Sequence, residues 1–138
     1  MNPYRNLVRF GLGGVQGSGK QMFSWLHIED LFNIILFLRD NKNLNGIFNC
    51  SSPNPVPNHV FMQTFRKVMN IPFGFPSPKW MLTIGAFIIR TEPELILKSR
   101  WVIPSRLLQS GFKFAHAHLD DALENIIVQT KRSRYHLF

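Results

Sequence analysis

Alternation of strand-type and helix-type segments predicts an α/β fold, and three stretches carry that expectation. In "QMFSWLHI", residues 21–28, Phe23, Trp25 and His27 share one parity while Met22, Ser24, Leu26 and Ile28 share the other, which reads as a strand. "EDLFNIILFLRDN" follows with Leu31, Ile34, Ile35 and Leu38 at helical spacing, and "HVFMQTFRKVMN" repeats the pattern with Phe61, Phe65, Val68 and Met69. Phe32, Leu36 and Phe37 make the first of these helices apolar on nearly every face, so it is expected to be buried on several sides. Two or three short strands form too small a sheet to cover that much apolar surface, so the chain is expected to pack against a larger α/β unit.

The elements follow in order. From Gly14 to Lys20 the sequence spells G-x-x-x-x-G-K, but Gln21 replaces the magnesium-binding Ser or Thr of a phosphate loop, and a strand follows where a helix is required. The string is therefore read as a glycine-rich turn entering a strand. Glu29 and Asp30 lie where a helix start favours negative charge. "NGIFNCSS" reads as a short strand entered by an Asn-Gly turn, and "PNPVPN" blocks regular structure until Asn58 caps the next helix. Beyond the connector "IPFGFPSP", the segments "KWMLTIGAFIIRT" and "PELILKSR" read as helical. "IPSRLLQSGF" has Pro104 at a first helical turn and Gly111 at a left-handed C-terminal cap. "HLDDALENIIV" puts Leu119, Ala122, Leu123, Ile126 and Ile127 on one face, with Asp120 and Asp121 in the first turn.

With 138 residues, 45% hydrophobic and 13% aromatic, the chain has the size and composition of one folded domain. Its apolar runs fall short of the roughly 20 residues needed to span a bilayer. The N-terminus has no long apolar stretch after its charges, so no secretory signal is expected. The lone Cys50 excludes an internal disulfide, fits a reducing compartment, and is read as a small buried side chain in a strand. These features lead to the expectation of a cytoplasmic protein without a membrane anchor.

The net charge of +8 raises nucleic-acid binding. Residues 1–70 carry seven basic against three acidic side chains and residues 71–138 nine against five, so each part is +4 and no basic stripe stands out. Only "KRSRYH" is locally basic, and residues 131–138 are read as a basic tail after a single unit covering 1–130.

"GLGGVQGSGKQMFSWLHIEDL", "GIFNCSSPNPVPNHVFMQTFRKVM" and "ELILKSRWVIPSRLLQSGFKF" followed by "LDDAL" together resemble the C-terminal half of the epimerase-like branch of the extended short-chain dehydrogenase/reductases. The resemblance covers about residues 4 to 127. It implies a substrate-binding lobe with a few short strands and about five helices, the Rossmann half being absent. Family members carry a G-x-x-G-x-x-G turn that holds the dinucleotide and a Tyr-x-x-x-Lys pair that handles the proton. Neither is matched in context here: Gly11, Gly14 and Gly17 have the glycine spacing, but this first glycine cluster comes too late and precedes a strand, while Tyr4 has no Lys at the required spacing and Tyr135 has only three residues after it.

The resemblance accordingly implies an NAD(P)-dependent epimerase- or reductase-like whole with NADP or NAD as its cofactor. This chain alone is expected to supply no catalytic residue and to bind no cofactor. Its implied partners are a small-molecule substrate and an N-terminal Rossmann half or another apolar surface. The rival readings are a stand-alone interaction domain and a basic nucleic-acid binder using Lys131, Arg132 and Arg134.

Gly17, Ser18, Gly19, Lys20 and Gln21 are candidates for a loop facing the substrate cleft, with a mobile turn as the alternative. Trp25 and His27 follow in the strand, and His27 is read as a core histidine rather than a base. Arg100 could reach the cleft or pair with Glu92 or Glu94. His116 and His118 form an H-x-H pair in a loop; two ligands without a third make a poor zinc site, so no metal is expected. Sugar-nucleotide epimerases with this strand pattern usually have Arg two residues before the strand's aromatic. Here that position is Phe23, which implies weak affinity for a nucleotide diphosphate.

Overall fold

The computed structural model describes residues 2–76 and 99–129. In chain order the elements are α1 (Asn2–Arg9), β1 (Met22–Phe23), α2 (Ile28–Asp40), β2 (Val56–Pro57), α3 (Asn58–Val68), α4 (Ser105–Gln109) and α5 (Leu119–Gln129). The expected helix in "KWMLTIGAFIIRT", most of "PELILKSR", Glu92 and Glu94, and the 131–138 tail lie outside the described residues.

Among the described residues the sheet is smaller than expected. β1 pairs antiparallel with β2, Met22 opposite Pro57 and Phe23 opposite Val56. The strand expected over 21–28 shrinks to two residues. One reason is chemical: Pro53, Pro55 and Pro57 on the partner side have no N–H to donate, so a ladder cannot run on. The chain stays extended beyond the strand and is held by single bonds, Ser52 N–H to Trp25 O at 2.6 Å and Asn58 N–H to Gln21 O at 2.9 Å.

The far side of β1 is served largely by hydroxyl groups. Met22 N–H donates to Ser99 Oγ at 3.0 Å, Arg100 N–H donates to Met22 O at 2.9 Å, and Ser24 Oγ accepts from Val102 N–H at 2.8 Å while donating to Arg100 O at 2.8 Å. Residues 99–102 are thereby laced to β1 without forming a strand.

The strand expected in "NGIFNCSS" is likewise an irregular segment, and Cys50 is exposed rather than buried. The Asn-Gly turn is there, with Gly46 at φ 93°. Its shape is fixed from outside by Arg106, whose two Nη groups donate to Ile47 O (2.7 Å) and Asn45 O (2.6 Å) while the guanidinium lies 4.3 Å from the centre of the Phe48 ring.

Two apolar clusters hold the described residues together. The larger joins α1, α3 and α5 through Val8, Phe61, Met62, Phe65, Leu119, Ala122 and Leu123, with Trp25 from the segment after β1. Tyr4, Phe23 and Phe61 form its aromatic end, Phe23 stacking on Phe61 at 4.8 Å between ring centres and Tyr4 meeting both edge-on. The smaller joins Ile34 of α2 to Leu107 of α4 and Phe112, with Leu26, Phe37, Leu38, Phe48 and Phe114 around them. Gly111 has φ 84°, the left-handed cap expected after α4.

Helix α2 begins earlier than its apolar stripe suggests, and it is buried on one side rather than several. Ile34 is fully buried, yet Ile28, Phe32 and Ile35 are 73%, 60% and 57% exposed. Spaced i, i+4 and i+7, they form one continuous apolar stripe.

Candidate functional site

The glycine-rich loop is built for close backbone packing. Gly14 N–H donates to Phe75 O at 3.1 Å and Phe75 N–H to Gly11 O at 2.8 Å. A Cβ on Gly14 would collide with the Phe75 carbonyl, and one on Gly13 would lie 2.8 Å from Val8 Cγ2. Further on, Gly17 and Gly19 take φ of 60° and 68°.

A buried amide network wires that turn to the start of α3. Asn58 accepts from Gln16 N–H at 3.0 Å through Oδ1 and donates through Nδ2 to Gln16 Oε1 at 3.2 Å. Asn58 is thus no helix cap: Pro57 holds that position without a side-chain bond. Gln21 Nε2 donates to Gln16 O at 2.7 Å, Ser18 Oγ donates to Gln21 Oε1 at 3.0 Å and accepts from Lys20 N–H at 3.3 Å, and Gly19 N–H returns to Gln16 O at 3.1 Å. Gly19 O in turn accepts His59 N–H at 3.0 Å. The N–H groups a phosphate would need at Gln16, Gly19 and Lys20 are therefore committed within the protein. For the same reason this loop does not fit the pyrophosphate of a dinucleotide.

The cleft candidates sort by burial. Gly19, Gln21, Trp25 and His27 are buried, Gly17 is half-buried, and Ser18, Lys20 and Arg100 are exposed. Trp25 belongs to the larger core cluster and donates Nε1–H to Asn54 O at 3.0 Å. Lys20 and Arg100 flank β1: Arg100 is bonded through its backbone to Met22, two residues beyond Lys20.

A second constellation gathers where α2 begins. His27 is the N-cap of α2, with φ −76° and ψ 143°, and its Nδ1 accepts Glu29 N–H at 3.3 Å. The adjacent Asp30 is fully buried and is more than a helix-start charge. Its two oxygens accept Ala115 N–H at 2.7 Å and His116 N–H at 3.0 Å, which binds a distant loop to the start of α2.

That clamp brings the His116 ring against the His27 ring, tilted by 47° with centres 4.0 Å apart, and brings His116 Nε2 within 3.1 Å of Glu29 Oε2. Burial, followed by the neighbouring His116, pushes the His27 pKa below the usual imidazole value against the opposing pull of Asp30, Glu29 and the Asn125 amide. Even so, neither His27 Nε2 nor Asn125 Oδ1 makes a hydrogen bond of good geometry, and both atoms are buried. Sequence spacing alone pairs His116 with His118, but His118 is exposed, and the structure groups His116 with residues 87 and 89 positions earlier. The available signal was W-x-H-I-E-D, a histidine followed by two carboxylates at a helix start.

Comparison with known proteins agrees with this architecture. Residues 77–126 match the family described as Domain of unknown function (DUF1731). The epimerase family protein YfhF of Bacillus subtilis (strain 168) is 32% identical over 131 residues, covering 94% of this chain and 40% of that protein. The epimerase family protein SA0724 of Staphylococcus aureus (strain N315) is 33% identical over 91% of this chain and 39% of its own length. A crystal structure of human epimerase family protein SDR39U1 (isoform 2) with NADPH superposes with a TM-score of 0.79 at 31% identity, covering 91% of this chain and 42% of that one. The chain spans about two fifths of the length of these relatives. Its matches fit one region of a longer architecture: the chain is similar to the epimerase family proteins, in the part corresponding to the C-terminal half of an extended short-chain dehydrogenase/reductase.

Proposed function

We propose that this chain is the substrate-binding C-terminal portion of an NAD(P)-dependent epimerase- or reductase-like protein and is not catalytically competent alone. The observation that carries the reading is the apolar stripe of Ile28, Phe32 and Ile35 on α2, in a chain whose relatives are more than twice its length. A stripe of large exposed side chains on an otherwise packed helix marks a contact surface. A Rossmann half seated on α2 would cover it and would bring the dinucleotide, NADPH in the human relative's crystal structure. This chain would contribute the loop of Ser18 and Lys20 and the nearby Arg100 to the substrate side of the cleft.

The hydride chemistry belongs to the cofactor and the proton to a Tyr-x-x-x-Lys pair, both outside this sequence. The test mixes the chain with the separately expressed N-terminal part of YfhF and follows NADPH fluorescence and co-elution. We expect NADPH binding by the mixture, association that is lost in Phe32→Asp, and no NADPH binding by the chain alone. Saturable NADPH binding by the chain alone, or association indifferent to Phe32→Asp, would overturn the assignment.

A further inference from the structure

We propose that His27, Glu29 and His116 form a binding site for a divalent transition-metal ion of the zinc class. One ligand atom from each lies within 4.8 Å of the other two. A tetrahedral ion with bonds of about 2.0–2.2 Å holds its donors roughly 3.3–3.6 Å apart. Glu29 Oε2 and His116 Nε2, 3.1 Å apart, are a few tenths of an ångström short of that separation. No pair of the three donors is more than 4.8 Å apart, so completing the tetrahedron takes movements on the order of 1 Å, and the 52% exposed Glu29 side chain can change rotamer to supply its own share.

Several further observations point to a ligand and not to an ordinary ion pair. A Glu29–His116 pair uses one imidazole and leaves the second, His27, 3% exposed and tilted against the first at 4.0 Å, with an Nε2 that makes no hydrogen bond of good geometry. The backbone around the site is held by Asp30, which fixes His116 through its own N–H and so acts as a positioning group. Charge balances as well: the carboxylates of Glu29 and Asp30 together offset a dication. Two imidazoles and one carboxylate are borderline donors of the kind zinc, cobalt and nickel prefer, and three protein ligands leave a fourth position for water.

The test is calorimetric titration of the chain with zinc chloride, paired with cobalt chloride and the visible absorption of low-coordinate Co²⁺. Glu29→Gln is the central variant, because its exposed side chain can change without disturbing the core; His116→Asn is the second. Cys50→Ser and His118→Ala serve as controls for stray thiol and imidazole binding. We expect one equivalent bound with a dissociation constant of about 1 µM or tighter. Both site variants should weaken binding at least about 100-fold, since even outer-shell losses cost 10–100-fold, while the controls bind as the parent does. Absence of saturable binding below about 100 µM, or binding lost in the controls and kept in Glu29→Gln and His116→Asn, would overturn the proposal.

Discussion

Replacing Asp30 separates two accounts of that residue by their size. If its carboxylate merely complemented the N-terminal end of α2, its removal would cost about 0.3–1 kcal/mol. The structure gives it a larger task, with two backbone N–H groups at 2.7 and 3.0 Å on a fully buried side chain. Hydrogen bonds to a charged acceptor contribute about 1.5–3 kcal/mol each. Ala115 is exposed, so water can recover part of one of them after truncation.

Asp30→Ala is therefore expected to cost about 2–4 kcal/mol and Asp30→Asn, which keeps one acceptor oxygen, roughly half of that. Against a total stability of about 5–15 kcal/mol, the alanine variant should lower the urea midpoint markedly with the slope unchanged. Amide exchange at Ala115 and His116 should accelerate together in both variants. A loss below about 1 kcal/mol for Asp30→Ala, with slow exchange retained at those two amides, would refute the clamp and restore the dipole account.

Gly14→Ala should destabilise by about 1–3 kcal/mol in the same urea assay, because the added methyl meets backbone rather than a movable side chain; an unchanged midpoint would show that the 11–14 and 73–76 segments can separate freely. Burial pushes the Tyr4 phenol up to about 12 from its ordinary 10.0, so the unfolded chain ionises first and stability, complete below pH 10, falls as pH rises toward 12. Phenolate absorbance in a Tyr135→Phe background checks this: a midpoint near 12 is expected, and one near 10 would mean that Tyr4 is open to water. Mg-ATP titration should show no saturable binding, given the committed N–H groups of the glycine loop, and binding abolished by Lys20→Ala would reverse that conclusion. The reconstituted full-length protein should bind UDP-sugars weakly or not at all, because Phe23 is stacked on Phe61 and offers no guanidinium; micromolar binding dependent on Lys20 or Arg100 would place the phosphate site elsewhere.

Periodicity found α2, α3 and α5 because each is a local pattern, and the Phe61–Phe65 face, the Leu119–Leu123 face and the Gly111 cap can be read from a few consecutive residues, whereas α1, whose Val8 and Tyr4 enter the core, was not read from the sequence. It failed where bonding is not local. Parity over 21–28 signalled a longer strand than β1, because the prolines opposite and the hydroxyls of Ser24 and Ser99 decide how far the ladder runs. Asn58 precedes a helix in the manner of a cap, yet its amide turns inward to Gln16, a partner 42 positions away. The His116–Glu29 contact was invisible for the same reason, and Cys50 sits in a stretch whose β-type composition finds no strand to pair with among the described residues.

The hydroxyl lacing of β1 also makes folding a long-range problem. Ser99, Arg100 and Val102 reach back 76 to 78 positions to Met22 and Ser24, and closing that loop carries an entropic cost of about 4 kcal/mol in a flexible chain, borne by whichever bond forms first. No single hydroxyl bond repays that, so the lacing can form only after the α3–α5 contact has brought the two halves of the sequence together. Residues 99–102 are thus placed to dock late and to leave first on unfolding, and the edge of β1 that they cover is the edge a nascent chain would expose longest.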